Sequence, residues 1–287
     1  MKDSLNHLPE RKRHELARII NIIRTSVPQA EMLILFGSYA RGDWVEDVTK
    51  EGRTTYEYSS DFDILVIVKS QSLADNLDLW YGIEDEAWTL PVQTPVKIIA
   101  HEIDFINKML EKGQYFFSDI KKDGIILYDS KNCTLAEAKP LSPKERLAQA
   151  QADFKQWFES AKEFYRTYEL VLKEGFYKKA AFMLHQAAES LYGTVLLVYT
   201  NYKPKTHDLD TLRRLAANND PAFFKIFPLR GDDEKRCFNL LRQAYVGARY
   251  HDDYKITPLE LKYLALCVEI LRDQTQTSCE KKMESFV

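Results

Sequence analysis

The sequence predicts an α+β protein built in two parts. Three observations carry this prediction. Short apolar, β-branched runs alternate with helical stretches over the first half of the chain. Beyond residue 143 the apolar spacing is helical almost throughout. Between the two lies Ala138 to Pro143, a stretch with two prolines and a serine that has the composition of a linker. The length of 287 residues fits two domains at roughly 100–200 residues each.

The first half begins with an amphipathic helix over 9–27, where Leu16, Ile19, Ile20, Ile23 and Val27 share one face and Pro28 ends the pattern. Met32 to Phe36 is a short apolar strand. Gly37-Ser38 starts a turn, and Tyr39-Ala40-Arg41-Gly42 opens a helix. Residues 43–60 are polar, with Thr54 to Tyr58 forming part of a hairpin. Ile64 to Val68 is a continuous β-branched and apolar run, the mark of a strand buried on both faces. A helix over Leu73 to Trp88 follows. Val92 to Ala100 is a strand in which Pro95 marks an edge or a start. Ile103 to Lys112 is a short helix, 115–123 is partly helical, and Ile125 to Tyr128 is a last strand.

The second half reads as five helices of an antiparallel bundle. The first carries Leu147, Phe154, Trp157, Phe158, Ala161, Tyr165, Tyr168 and Leu172 on one face, and the second carries Ala180, Leu184, Ala188, Leu191, Val195 and Tyr199. The others span Leu209 to Ala217, Asp232 to Arg249 and Pro258 to Gln274. No internal repeat is present.

Composition excludes several classes. With 45% apolar and 29% charged residues the chain is neither disordered nor fibrous. No apolar run reaches the ~20 residues of a membrane helix. Met1 to Arg13 is polar and charged, unlike a secretory signal. Cys133, Cys237, Cys267 and Cys279 are scattered and suggest neither a zinc site nor a disulfide framework, so a cytoplasmic protein is expected. Residues 1–140 carry a net charge of −6 and residues 141–287 a net +3. This fits an acidic, cation-requiring site in the first half, and it lends nucleic-acid binding little support.

The chemistry-bearing residues of the first half are Gly37-Ser38 at a strand end and Asp61-x-Asp63 at the head of a buried strand. Alternation puts Asp61 and Asp63 on one side of that strand. Two adjacent carboxylates repel each other, and a bound divalent cation removes the repulsion. Oxygen-only ligands favour Mg²⁺ or Mn²⁺, shared with substrate phosphates. The Gly-Ser turn frees backbone N–H groups and adds a hydroxyl for a phosphate, with the Arg41 cation nearby.

Gly37-Ser38-x-Ala40-Arg41-Gly42 followed by Ser60-Asp61-x-Asp63-x-x-Val66 resembles the signature of the nucleotidyltransferase superfamily, which includes DNA polymerase β-like and minimal nucleotidyltransferases. The resemblance implies a small mixed sheet over 1–139. It implies an NTP substrate held at Gly37, Ser38 and Arg41, and metal ions on Asp61 and Asp63. It also implies transfer of a nucleotide to a hydroxyl with release of pyrophosphate. Two departures stand out. The family's third carboxylate falls on the strand Val92 to Ala100, where Lys97 takes its place, and Glu102 substitutes only if the strand is offset. In addition, 22 residues separate Ser38 from Asp61. That insertion, with Trp44, Tyr56 and Tyr58, is either an acceptor-binding hairpin or a decorated loop.

In the second half, Ala180-Ala181-Phe182-Met183-Leu184-His185-Gln186-Ala187-Ala188-Glu189 followed by Pro204-Lys205-Thr206-His207-Asp208-Leu209 resembles the HEPN domain. For 140–287 this implies an all-α bundle, and with it a homodimer. Some HEPN domains are ribonucleases with an Arg-x(4–6)-His motif. Arg242, Arg249, Tyr250, His251 and Tyr254 are the candidates here, but neither arginine has the right spacing to His251. On one helix Arg242 and His251 lie ~13 Å apart in rise, and Arg249 and His251 project about 200° apart. Only a break near Gly247 or Tyr250 would bring Arg249 and His251 together, so ribonuclease activity is not expected. His185 reads as a packed, hydrogen-bonded histidine and His207 as part of loop packing after a cap at Thr206 or Asp208.

The functional expectation is a Mg²⁺-dependent nucleotidyltransferase fused to a HEPN domain, of the toxin–antitoxin or stress-defence kind. Its acceptor would be a small molecule, an RNA end or a protein tyrosine, with Tyr250 and Tyr254 the nominated tyrosines. An aminoglycoside-type transferase and an NTP-binding interaction module without catalysis are the alternatives.

Overall fold

Met32–Phe36 has no polar side chain, and the chain buries it in the middle of a sheet as β1. The structure, a computed structural model, describes residues 1–44, 46–51, 54–90, 92 and 94–287, with the backbone alone for 47–51 and 54–59. The chain divides into two compact units, Met1–Pro140 and Leu141–Val287.

In the first unit β1 lies between β4 (Phe62–Val68) and β6 (Ile125–Asp129), antiparallel to both. β4 pairs in parallel with β5 (Val96–Glu102), giving a mixed sheet of order β5-β4-β1-β6. All seven residues of β4 are buried, as the apolar run Ile64 to Val68 requires, and Asp63 is buried with them. One face of the sheet packs on α1 (Glu10–Ser26) and α4 (Leu77–Thr89). There Leu16, Ile19, Ile23, Trp80 and Ile83 meet Leu33, Leu35, Ile64 and Val66 in one core. Helix α2 (Gly37–Arg41) follows β1 directly, and Gly42 at φ +94° closes it. A separate hairpin, β2 (Glu46–Glu51) and β3 (Thr54–Ser59), fills part of the expected insertion. Helices α5 (Ile103–Glu111) and α6 (Tyr115–Asp123) connect β5 to β6.

Two expectations change here. The helix expected from Leu73 to Trp88 is split into α3 (Gln71–Ala74) and α4. Each piece has its own N-cap, Ser70 accepting from Leu73 N–H and Asn76 from Leu79 N–H. The Trp80 indole donates at 3.1 Å to the carbonyls of Leu73 and Ala74 at the break. The strand expected from Val92 starts only at Val96, after Pro95, whose carbonyl accepts from Phe62 N–H at 2.7 Å.

The second unit is helical among its described residues. It runs α7 (Pro143–Lys173), α8 (Tyr177–Thr200), α9 (Leu209–Ala217), a 3₁₀ turn at Pro221–Lys225, α10 (Asp232–Gln243), α11 (Gly247–Tyr250) and α12 (Pro258–Glu284). Capping boxes at Ser142/Glu145 and Thr257/Glu260, each with proline next, start α7 and α12. Helix α8 is buried nearly all round, as a central helix must be. The fourth expected helix, Asp232 to Arg249, ends early at Gln243. The Tyr254 hydroxyl takes the Leu240 carbonyl at 2.9 Å, and its ring packs on Gly247, where a Cβ would come within 2.9 Å of it. The fifth runs ten residues past Gln274, because small buried groups at Thr275, Ser278 and Cys279 continue its inner face. Among the described residues no helix is long and apolar enough to cross a membrane.

Candidate active site

The β1–β4 register brings the two motifs of the first half together. Phe36, the last residue of β1, pairs with Asp63, so Gly37 emerges beside the Asp63 carboxylate. Gly37 has φ +72°, and a Cβ on it would lie 2.2 Å from Asp63 Oδ2. Glycine is therefore required twice, for its backbone conformation and for the close approach. Ser38 and Arg41 follow on α2. Arg41 is exposed and pairs with Asp43 at 3.1 Å, and its charge also reaches Asp63.

Asp61 and Asp63 are both buried, at 4% and 3% exposure. Burial, and next the charge of Asp61, holds the Asp63 carboxyl well above the usual carboxylate range, with Arg41 and Lys97 offsetting only part. Asp63 Oδ1 is buried with no hydrogen-bond partner among the described residues. A buried carboxylate oxygen without a donor beside a second carboxylate costs free energy unless a cation joins them. Two aspartates fall short of a full metal cage, and among the described residues no group of three or more His, Cys, Asp or Glu forms one. The remaining ligands would have to come from phosphate and water, as Mg²⁺ sites commonly arrange.

Lys97 stands in register with Asp63 on the neighbouring parallel strand, in the place expected for a third carboxylate. Its ammonium lies 3.2 Å from Glu84 Oε2. Glu84 is a residue that sequence reasoning missed. It sits on α4 at the open edge of β5 and accepts the Ile98 N–H at 2.7 Å. Burial raises its carboxyl above the usual range, and Lys97 and the Ile98 N–H pull it part of the way back. The available signal was a carboxylate on an apolar helix stripe, four residues after Trp80 and three before Ala87. Glu102 must be corrected. It pairs with Val68, five positions beyond Lys97, which puts it at the far end of the strand and on the opposite face. Trp44 stacks on Tyr39, with centroids 5.3 Å apart, and so serves as packing for α2. The side chains of Tyr56 and Tyr58 lie outside the described residues.

In the second unit the motif residues form a network. Glu189 accepts from His207 Nδ1 at 2.9 Å and Lys203 Nζ at 3.2 Å, and His185 Nε2 lies 3.6 Å away. Burial pushes the Glu189 carboxyl up, but His185, His207 and Lys203 outweigh it and bring it down to about 2. His185 Nδ1 is 2.9 Å from the Leu241 carbonyl, and His207 stacks on Tyr245 at 3.9 Å. His207 thus ties the α8–α9 connection to α8, and His185 ties α8 to α10.

Among the described residues no hydrogen bond joins His251 to Arg242 or Arg249. Arg242 is paired with Asp208 at 2.9 Å, and Asp208 also caps α9. The chain does break between α10 and α11, but Arg249 lies over the rings of Phe182, Tyr245 and Tyr250. The carbonyl of His251 accepts from Lys178. Tyr254 is buried and bonded to the Leu240 carbonyl, so it is withdrawn as an accessible acceptor, whereas Tyr250 is 71% exposed.

Residues 17–132 match the family model described as polymerase beta, nucleotidyltransferase, and residues 154–277 match that of the HEPN domain. No curated protein matches the chain at a significant level. The two matches stand in the same order as the mixed-sheet unit and the helical unit, and the chain joins a polymerase β-type nucleotidyltransferase domain to a HEPN domain.

Proposed function

We propose that the first unit binds an NTP with Mg²⁺ or Mn²⁺ and transfers its nucleotide to a hydroxyl acceptor. The observation that carries this reading is the buried pair Asp61 and Asp63, with Asp63 lying against Gly37 and its Oδ1 lacking a donor among the described residues. In this reading Asp61 and Asp63 hold the cation. Gly37 N–H and the Ser38 hydroxyl face the terminal phosphates, and Arg41 adds positive charge at the rim. The bound cation would supply charge neutralisation on the phosphate oxygens and make the phosphorus more electrophilic. Attack by the acceptor hydroxyl would form one bond to the α-phosphorus, break its bond to the bridging oxygen of pyrophosphate, and release the hydroxyl proton to water.

For a protein acceptor the exposed Tyr250 is the nominated position. The test is intact-protein mass with each NTP, with and without Mg²⁺, on the wild type and on Asp61→Ala/Asp63→Ala. A Mg²⁺-dependent gain of one nucleotide, absent in the double variant, is expected if the acceptor is internal. For an external acceptor, Mg²⁺-dependent NTP binding that the double variant loses is the minimum result, and its absence sinks the reading. A second reading, NTP binding without turnover, is favoured by one observation, the lysine in register with Asp63. It is distinguished by NTP binding that releases no pyrophosphate with any acceptor offered. The helical unit is assigned to dimerisation, which sedimentation of the full chain measures.

A further inference from the structure

Lys97 is a cation placed where a transferase of this chemistry would want a carboxylate. It is in register with Asp63 on parallel neighbouring strands, so both side chains leave the same face of strands about 4.8 Å apart. Its head group is held in place: Nζ meets Glu84 Oε2 at 3.2 Å, and the other Glu84 oxygen is fixed by the Ile98 N–H at 2.7 Å. Both Lys97 and Glu84 are largely withdrawn from solvent, at 24% and 11% side-chain exposure. Two-metal phosphoryl-transfer sites place their ions about 3.5–4 Å apart on shared carboxylates. A tethered ammonium beside those carboxylates competes for the second of these positions, because like charges at that separation repel strongly in a partly desolvated site. It also supplies the positive charge that the missing ion would bring.

We propose that Lys97, tethered by Glu84, serves as a built-in cation in place of a second metal ion, so that the Asp61–Asp63 site takes a single divalent cation. The proposal rests on the metal-nucleotide reading above, and counting ions separates the two. The experiment is Mn²⁺ titration of the full chain, followed by electron paramagnetic resonance, with saturating α,β-methylene ATP as a nucleotide that cannot be turned over. One Mn²⁺ per wild-type chain is expected, and Lys97→Asp should take up two. Two ions in the wild type overturn the role of Lys97 and leave the metal-nucleotide reading standing. No ion at all in the wild type sinks both. A folded Lys97→Asp that still binds one ion removes Lys97 from the role. Should that variant fail to fold, the wild-type count alone decides.

Discussion

Replacing Gly37 with alanine attacks the contact on which the candidate site is built. At φ +72° an L-residue costs about 1–2 kcal/mol relative to its preferred backbone. The new Cβ would also stand 2.2 Å from Asp63 Oδ2 and 3.1 Å from Cγ, closer than such contacts allow. Relieving this means turning the Asp63 side chain off its rotamer or spreading β1 from β4, at about 1–2 kcal/mol. The total is about 2–4 kcal/mol for the first unit, with the carboxylate displaced from its cation-holding position. A double-mutant cycle separates the two parts. In an Asp63→Ala background the nearest remaining atom is Cβ at 3.4 Å, an ordinary contact. There, Gly37→Ala should cost only the backbone part, leaving a coupling of about 1–2 kcal/mol. Hydrogen exchange of β1 and β4 amides in the full chain measures the opening free energy of this unit alone. An equal cost in both backgrounds would show that Asp63 is not what the glycine accommodates.

Four further outcomes follow from the two units. Because Asp63 is held above its ordinary value of 3.8, the native state keeps a proton that the unfolded chain has released. The metal-free first unit should therefore lose stability as pH rises from about 4 toward the raised value. Asp63→Asn should flatten this dependence in amide exchange across that range, and an unchanged slope would refute it. Glu189, brought down to about 2 from 4.5, contributes stability that is present above 4.5 and lost as pH falls toward 2. Glu189→Gln should cost about 1.5–3 kcal/mol at neutral pH and weaken the acid dependence in thermal melts of the helical unit. Tyr254→Phe gives up a buried bond to the Leu240 carbonyl and should cost about 1 kcal/mol, while Tyr250→Phe should cost nothing measurable. Peptide mapping after incubation with ATP and Mg²⁺ should place any tyrosine adduct of the helical unit on Tyr250, and an adduct on Tyr254 would contradict the burial argument.

Much of the fold could be read directly because its signals are local. The run Ile64 to Val68 contains nothing that tolerates water, so it had to be an inner strand, and it lies next to β1. Gly37-Ser38 and Asp61-x-Asp63 are each short enough to be seen as motifs, and β1 and β4 carry them to the same end of the sheet. Helix ends were less accessible where the cause is tertiary. Within Asp232 to Arg249 only Gly247 hints at a break, and it does not place the stop after Gln243. The ring that needs the space beside Gly247 comes from Tyr254, seven residues later. Thr275, Ser278 and Cys279 escaped notice for the opposite reason: they are small or polar in composition yet buried on α12.

The Lys97–Glu84 pair shows most clearly why a site cannot be completed from motifs. Whether position 97 or 102 faces Asp63 is a question of register between two parallel strands, and a shift of one residue in that register turns every side chain to the other face. Composition permits either choice. The structure sets Asp63 against Lys97, and the start of β5 after Pro95 is what aligns them, since the Pro95 carbonyl already takes the Phe62 N–H. Once Lys97 is on that face, its ammonium lies among carboxylates and draws in one more, Glu84, from a helix that packs mainly on the other side of the sheet. Glu84 is held in turn because β5 is an edge strand with an N–H to satisfy at Ile98. The charge count at the candidate site is therefore a consequence of one proline and one open sheet edge, two features that carry no catalytic signature of their own.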